Sequence, residues 1–311
     1  MFGNDLVKQK KEVSGWWNTD AIKKWDIMYD DYSIHDIEYL RNRQNIILRL
    51  VENLKKEGQT LKVLELGYGG GQTALELGKK ELDVYGLDIS QKLCDLATKR
   101  CQEGYPEGQF LLEVGSIEEN YRYDDNYFDI VIVSGALQYL FDISKCMNEV
   151  SRVLKPGGSF IVAQRNHYSL SNMTSIRNIL RTFIHFIFQE EHELHPSYKS
   201  MLVESRLGKL FKKFENKDFM NSSFMLKGHD KWKYKIDKKK ITSPILTKLL
   251  KVNKFSVVEK LGSYYCFSEN SKLYNFNIKF DLFFRKIADL KFIPILKYLG
   301  RSIVIIAEKK I

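Results

Sequence analysis

Residues 63–74 read VLELGYGGGQTA, where a short apolar run with one acidic residue leads into four glycines within five positions. The whole chain has 19 glycines in 311 residues, so this concentration distinguishes the stretch from its surroundings. A buried strand followed by a glycine-rich turn and a helix brings backbone N–H groups and a helix N-terminus close to a ligand. The stretch therefore predicts a strand, a ligand-binding turn and a helix, in that order.

Apolar runs and helical patterns alternate on both sides of this stretch. Strands are predicted at residues 61–66, 82–88, 109–114, 128–134, 159–164, 255–268 and 301–310. Helices are predicted at residues 36–57, 71–80, 90–102, 142–154 and 169–189. Strands that are apolar nearly throughout and are separated by helices are typical of a parallel sheet covered on both faces. The predicted fold class is doubly wound α/β, with the two late strands completing the sheet.

The glycine spacing argues against two common phosphate-binding turns. A P-loop that starts at Gly67 would need glycine and lysine where Gln72 and Thr73 stand, so the residue that reaches the phosphates is missing. A dinucleotide-binding turn would need its third glycine at Gln72, where the helix packs closely on the strand. The spacing that does occur is E-x-G-x-G-x-G, which begins at Glu65 and continues through three alternate glycines.

This pattern resembles the first motif of the class I S-adenosylmethionine-dependent methyltransferases, in the branch that includes quinone-biosynthesis and many small-molecule methyltransferases. Further landmarks follow in the order of that family, namely VYGLDIS at 84–90, VGSIEE at 114–119, FDIVIVSGALQY at 128–139 and LKPGGSFIV at 154–162. The resemblance implies a Rossmann-like sheet of seven strands with helices on both faces and a mainly helical inserted cap. It also implies that the last strand inserts between the fifth and the sixth.

The resemblance implies S-adenosylmethionine as the cofactor. Glu65 would hold its ammonium group, directly or through water, and Asp88 would accept hydrogen bonds from its ribose. A second interpretation makes Asp88 an N-cap of the helix that opens at Ser90. Family members commonly have an acid at the position of Ser116, and Ile117 would pack on the adenine face. The predicted cofactor-binding set is Tyr32, Glu65, Gly67, Tyr68, Gly69, Gly71, Asp88, Ile89, Ser116, Ile117 and Ser134.

Catalytic candidates are sought after the fourth and fifth strands, because methyl transfer needs a positioned nucleophile and removal of its proton. His167 is the candidate general base, since histidine titrates near neutral pH, and a histidine that only hydrogen-bonds in a loop is the competing interpretation. Gln138 is the second candidate. His192 and His195 stand among glutamates and suggest a divalent metal, but a solvated helix end is preferred and no metal is predicted.

The chain is predicted to have three parts. They are an N-terminal arm and helix over the cofactor site (1–60), a cofactor-binding core (61–165 and 252–311, with 269–300 elaborating the last two strands) and an inserted substrate-binding cap (166–251). The arm contains an aromatic stretch at 16–32, in which Tyr29 and Tyr32 either cover the cofactor or fasten the arm to the core. Both interpretations remain open.

The charge is divided unevenly, because residues 1–159 carry −6 and residues 160–311 carry +16 of the net +10. An acidic front and a basic back indicate different partners for the two halves. The four cysteines show no CxxC pair, and no run has the length of a signal peptide core or a bilayer span, so a cytoplasmic protein is expected. Apolar, basic segments at 245–251 and 280–299 suit either a peripheral membrane contact or the core side of the cap.

The predicted function is methyl transfer to an oxygen or nitrogen of a small molecule, with anionic, glycan-type, lipid-linked and secondary-metabolite acceptors as candidates. The segment SGAL stands where amino-methylating nucleic-acid enzymes carry their signature, and no cysteine follows a proline. An RNA methyltransferase that uses the basic, aromatic 206–240 region is the first alternative. A non-catalytic partner subunit of the same fold is the second, and the intact Glu65, glycines and Asp88 argue against it.

Overall fold

We analysed the protein in a computed structural model. The structure describes residues 2–18, 38–166, 169, 241, 243–265, 279–283 and 299–310. Several predictions therefore lie outside the described residues, and they concern Tyr29, Tyr32, His167, His192, His195 and the 206–240 region. The predicted helix at 169–189 lies outside them as well, except for Ser169.

In the described part of the chain, seven strands form one mixed sheet in the order β3-β2-β1-β4-β5-β7-β6. The strands are β1 (Lys62–Leu66), β2 (Asp83–Asp88), β3 (Phe110–Val114), β4 (Phe128–Ser134), β5 (Leu154–Arg165), β6 (Phe255–Ser263) and β7 (Ser302–Lys309). The first five pair in parallel, and β7 runs antiparallel to both β5 and β6. The predicted insertion of the last strand between the fifth and the sixth is confirmed.

The helices lie between the strands as the hydrophobic pattern predicts. They are α1 (Phe2–Trp17), α2 (Glu38–Leu54), α3 (Gln72–Gly78), α4 (Gln91–Gly104), α5 (Ile143–Val153) and α6 (Ser243–Val252). The predictions for α2 to α5 are confirmed, with their ends displaced by a few residues. Helices α1 and α6 were not predicted.

Two predicted strand limits differ from the structure by more than one residue. Strand β5 begins at Leu154, directly after α5, because the Pro-Gly-Gly segment forms an irregularity within the strand and not a separate turn. Gly157 takes a φ of 73° there. Strand β6 ends at Ser263 and does not reach 268, because Tyr264 adopts a left-handed φ of 54° and its carbonyl accepts from the Arg301 N–H at 2.9 Å.

Both faces of the sheet are covered by apolar packing, as the uninterrupted apolar strands require. Successive residues of β4 point to opposite faces. Val131 and Val133 lie in a core shared with α5 and α6, whereas Ile130 and Ile132 lie in a core shared with α2 and α3. All four side chains are buried, so the strand ends that carry the site are held by a packed centre.

Candidate active site

The carboxyl ends of β1, β2 and β4 bring the predicted cofactor residues to one edge of the sheet. Chain order reverses between β1 and β4, which are neighbours in the sheet. A crevice at such a reversal is where ligands bind in open α/β sheets. Glu65, Asp88 and Ser134 all lie at or next to the ends of these three strands.

The glycine turn after β1 has a backbone that only glycine adopts without strain. Gly67, Gly69 and Gly71 have φ values of 73°, 58° and 80°. A Cβ at Gly71 would lie 2.7 Å from the Cβ of Ala97, so this glycine also permits close packing of α4. Gly70 has a negative φ and offers its carbonyl to the Arg100 guanidinium, which fastens the turn to α4.

Asp88 ties this turn to the loop after β2. Its Oδ2 accepts from the Gly69 N–H and its Oδ1 from the Ser90 N–H, each at 3.0 Å. Burial raises the pKa of Asp88, although these backbone donors oppose the shift. The N-cap interpretation of Asp88 is wrong, because Ser90 itself caps α4 by accepting from the Leu93 N–H. The carboxylate is thus used to shape the turn.

Glu65 is a buried carboxyl that can accept a further hydrogen bond. It is 2% exposed, and within the described residues its Oε2 has no hydrogen-bond partner. Burial raises its pKa to about 8; the charge of Asp88 adds to the shift, while a hydrogen bond from Thr73 and the charge of Arg43 oppose it. A buried carboxylate that lacks partners is costly. A cationic group placed at Oε2 would remove that cost.

Arg43 is a site residue that sequence reasoning missed. It lies on α2, is 8% exposed, and its Nε has no hydrogen-bond partner in the described part of the chain. Its guanidinium lies against Gly135, the residue after β4, where a Cβ would come within 3.1 Å of Nη1 and Nη2. A signal existed in the sequence, because Arg43 stands one helical turn before Ile47 on the apolar face of α2.

The predicted adenine-side residues lie in the loop after β3. Ser116 accepts the N–H of Glu118 at 3.2 Å through its Oγ, and Ile117 is buried in the core cluster that also contains Leu137. Tyr68, in contrast, turns its side chain away from the turn and donates to the Glu113 carbonyl at 3.1 Å. Only the backbone of Tyr68 is therefore available to a ligand at the turn.

Helix α1 lies against the loops that surround these residues. The Ser90 hydroxyl donates to the Trp17 carbonyl at 2.7 Å, and the Lys92 N–H donates to Oδ1 of Asn18 at 3.1 Å. Ser14 donates to the carbonyl of Ile89 at 3.3 Å. The ring of Trp17 also meets that of Tyr139 edge-on, with 5.8 Å between centroids, so α1 bridges the loops after β2 and β4.

The catalytic candidate Gln138 lies in a short 3₁₀ turn, Leu137–Tyr139, that follows β4. Its Nε2 donates to the Gly135 carbonyl at 3.3 Å, which positions the amide next to the strand end. Burial raises the pKa of the adjacent Tyr139 well above the usual range, while Arg43 and Arg165 act in the opposite direction. The role of Gln138 stays a prediction.

The described residues contain no group of three or more side chains that could hold a metal ion. Within the same residues, no helix has the length and apolar character needed to cross a membrane.

Comparison with known proteins places this geometry in context. A family model described as a methyltransferase domain matches residues 64–162. The chain is 28% identical over 183 residues to phosphoethanolamine N-methyltransferase 2 of Caenorhabditis elegans. The aligned segment covers 50% of this chain and 40% of that protein. It is 29% identical over 143 residues to demethylmenaquinone methyltransferase of Leptospira interrogans, covering 45% and 55% respectively. The chain thus spans about half the length of these relatives.

A solved structure has the same fold. Magnesium protoporphyrin IX methyltransferase of Synechocystis, crystallised with bound SAH, aligns with a TM-score of 0.57 at 15% identity. The alignment covers 97% of this chain and 100% of that one. Similarity at this level of identity establishes the fold.

Proposed function

We propose that this chain, a class I S-adenosylmethionine-dependent methyltransferase, transfers the methyl group of that cofactor to an oxygen or nitrogen of a small molecule. The observation that carries the proposal is the buried carboxyl of Glu65 together with the buried guanidinium of Arg43, beside the glycine turn. Glu65 offers a carboxylate oxygen and Arg43 offers an Nε–H, and neither atom has a partner within the described residues.

The amino acid end of the cofactor matches this pair, because it carries one ammonium and one carboxylate. In our proposal the ammonium lies at Oε2 of Glu65 and the carboxylate at the Arg43 guanidinium. Charge-assisted hydrogen bonds of this kind are shorter and about twice as strong as neutral ones. The glycine turn supports the assignment, because a Cβ at Gly69 would meet nothing within 4 Å and this part of the turn therefore borders open space.

The adenosine end is assigned to the loops after β2 and β3. Each carboxylate oxygen of Asp88 already accepts one backbone N–H, and each keeps a lone pair for a ribose hydroxyl. Ile117 and Ser116 would border the adenine, and Ser134 and the backbone of Ile89 would complete the site. The contacts of α1 with Ile89 and Ser90 favour a role for this helix in excluding water.

The bound cofactor supplies a methyl group that is activated by its sulfonium. In the reaction that the cofactor would support, the acceptor's lone pair would form a bond to the methyl carbon while the carbon–sulfur bond breaks with its electron pair staying on sulfur, and the acceptor would lose one proton. The task of this chain is mainly to align the acceptor and to receive that proton. Gln138 would orient the acceptor from the end of β4, and His167 is proposed as the base.

Calorimetry of the full chain with S-adenosylmethionine tests the proposal. We expect saturable binding that Asp88→Asn weakens by roughly tenfold or more, since a charge-assisted hydrogen bond contributes about 1.5–3 kcal/mol. Asp95→Asn is the matched control, because Asp95 is exposed on α4. A well-folded protein that binds no cofactor would exclude the enzyme function and leave the partner-subunit alternative.

The acceptor is the finer part of the proposal. Screening would monitor formation of S-adenosylhomocysteine with glycan-type, lipid-linked, quinone-type and phosphorylated amine acceptors. The last two classes follow from the names of the two relatives. The alternative of RNA as substrate draws support from the basic half of the chain. It predicts RNA binding whose affinity falls steeply with salt.

A further inference from the structure

Gln164, near the end of β5, is a buried amide whose oxygen the packing of the fold does not use. Its side chain is 1% exposed, and its Oε1 has no hydrogen-bond partner among the described residues. Such an oxygen is unfavourable, because it has lost its hydrogen bonds to water and gained none in return. Buried polar groups are nearly always hydrogen-bonded, so the unpaired oxygen of Gln164 requires an explanation.

The alternation of β5 and its pairing with β7 place Gln164 on an apolar face. Phe160 and Val162 precede it at alternate positions, so they share its face, and both lie in the core shared with α5 and α6. Ile303, the residue of β7 that pairs with Gln164, belongs to the same core. The apolar pattern of this face thus ends in an amide at the carboxyl end of the strand. Such a local exception to the pattern is expected at functional positions.

The end of β5 lies one strand away from a group that our proposed function assigns to the cofactor. Ser134 and Ala163 pair in register at the ends of β4 and β5, and the Gly135 N–H donates to the Ala163 carbonyl at 2.8 Å. The Arg43 guanidinium, proposed to bind the cofactor carboxylate, lies against Gly135. Gln164 directly follows Ala163, and neighbouring strands are about 4.8 Å apart. Gln164 therefore lies beside the proposed cofactor crevice, on the side away from β1.

The chemistry of the unpaired atom defines its partner. An amide oxygen only accepts hydrogen bonds, so the group that binds it must carry an N–H or an O–H. Hydroxyl compounds and primary or secondary amines carry such a hydrogen before they are methylated. An amide does not take up a proton at neutral pH, so Gln164 can orient an acceptor and must leave its proton to another group.

We propose that Oε1 of Gln164 accepts a hydrogen bond from an N–H or O–H of the methyl acceptor and thereby orients the acceptor towards the cofactor. The acceptor is accordingly a molecule with a hydroxyl or an N–H at or beside the atom that is methylated. This inference rests on the proposed function, because it defines the acceptor class of the same site.

The binding test uses the full chain saturated with S-adenosylhomocysteine and two pairs of probes. Phenol is compared with anisole, and aniline with N,N-dimethylaniline, so that the members of each pair differ in the hydrogen-bond donor. Binding is followed by calorimetry. The native chain should bind at least one donor roughly two- to tenfold more tightly than its methylated counterpart, the value of one neutral hydrogen bond.

Variants at position 164 connect this preference to the amide oxygen. Gln164→Met keeps the length of the side chain and removes the oxygen, so it should abolish the preference while adenosylhomocysteine binding is retained. Gln164→Glu keeps an acceptor oxygen at the same reach and should retain the preference. Gln102→Met, at an exposed position on α4, is the control and should bind all four probes as the native chain does.

Thermal unfolding of the cofactor-free chain distinguishes a ligand-binding amide from a structural one. Gln164→Met should unfold at the same temperature as the native chain or at a higher one, because it removes a buried oxygen without a partner. An amide that supported the fold through a bound water would instead lower the unfolding temperature when it is replaced.

Several outcomes would overturn the inference. Equal binding of donors and methylated probes by the native chain would do so, as would failure of both donors to bind. A preference that Gln164→Met leaves unchanged, or a lower unfolding temperature of this variant, would assign Gln164 to the fold. Failure of adenosylhomocysteine itself to bind would refute the proposed function, and this result is distinguishable because it appears before any probe is added.

Discussion

Cofactor affinity should depend on pH through the buried carboxyl of Glu65. Its pKa is about 8 in the cofactor-free protein, against an ordinary value of 4.5. The cofactor ammonium favours the ionised carboxyl, so binding below pH 8 must release the proton of Glu65. The apparent dissociation constant should therefore rise about tenfold for each pH unit below 8, since one pKa unit is worth about 1.4 kcal/mol.

The same shift determines stability in the absence of cofactor. Because folding raises the pKa of Glu65, protonation of this carboxyl favours the folded state, and this contribution to stability is fully present below the unfolded pKa of 4.5. The contribution is lost as the pH rises through the folded pKa of about 8. At pH 7 the folded chain must keep a proton that the unfolded chain releases, which costs about 3 kcal/mol. Glu65→Gln removes that cost, so it should raise cofactor-free stability by up to about 3 kcal/mol at pH 7.

Two measurements test this reasoning with one pair of variants. Calorimetry in buffers of different ionisation enthalpy should detect close to one proton released per cofactor at pH 6.5 for the native chain and none for Glu65→Gln. Thermal unfolding should show that Glu65→Gln is more stable and binds cofactor poorly, while Glu57→Gln, at an exposed position, behaves as the native chain. Cofactor affinity that is constant from pH 6 to pH 8 would refute the role of Glu65.

Further predictions concern Arg43, the glycine turn and α1. Arg43→Gln should weaken adenosylmethionine binding by roughly tenfold, yet leave methylthioadenosine binding unchanged, because that analogue lacks the amino acid end. Gly71→Ala should lower the free energy of unfolding by about 2–4 kcal/mol, since it combines a left-handed φ with a contact of 2.7 Å to Ala97. Asn18→Ala should accelerate cofactor dissociation in stopped-flow fluorescence, because it removes the acceptor for the N-terminal amide of α4.

Each of these predictions has a matched comparison. Gly157→Ala has the same left-handed φ with 3.7 Å to the nearest atom, so it measures backbone strain without the clash. Asn120→Ala alters an exposed asparagine outside α1 and should leave dissociation unchanged. If methylthioadenosine binding fell as far as adenosylmethionine binding in Arg43→Gln, Arg43 would support the turn and would not contact the carboxylate.

The sheet could be predicted because its strands carry their own signal. Val131 and Val133 alternate with Ile130 and Ile132, so both faces of β4 are apolar and the run can only be a central strand. The glycine turn could be predicted for a similar local reason. The insertion of β7 could not be derived from either pattern and came from the family resemblance, since strand order depends on contacts between distant parts of the chain.

The orientation of the Tyr68 side chain and the presence of α1 could not be predicted from the sequence, for a different physical reason. Tyr68 lies between two glycines of the turn, which favours a ligand contact, but its ring fills the space left by Gly86, where a Cβ would lie 2.5 Å from Cδ1. Helix α1 has Val13 and Trp17 at helical spacing, with Lys10 interrupting the apolar face one turn earlier. Its position depends on hydrogen bonds to a loop more than 70 residues away, and those bonds leave no local pattern.

The two buried acids of the turn have different tasks, and their hydrogen bonds separate them. Asp88 has both oxygens engaged by backbone N–H groups of the loops that it joins, so it shapes the turn whether or not a ligand is present. Glu65 keeps an oxygen without a partner in the described residues, and the charge of Arg43 acts on its carboxyl. A fold that needed only stability would place an apolar residue at position 65. In our proposal the energetic cost of burying Glu65 and Arg43 is recovered when the zwitterionic end of the cofactor binds, and Glu65 is on that basis proposed as a functional acid.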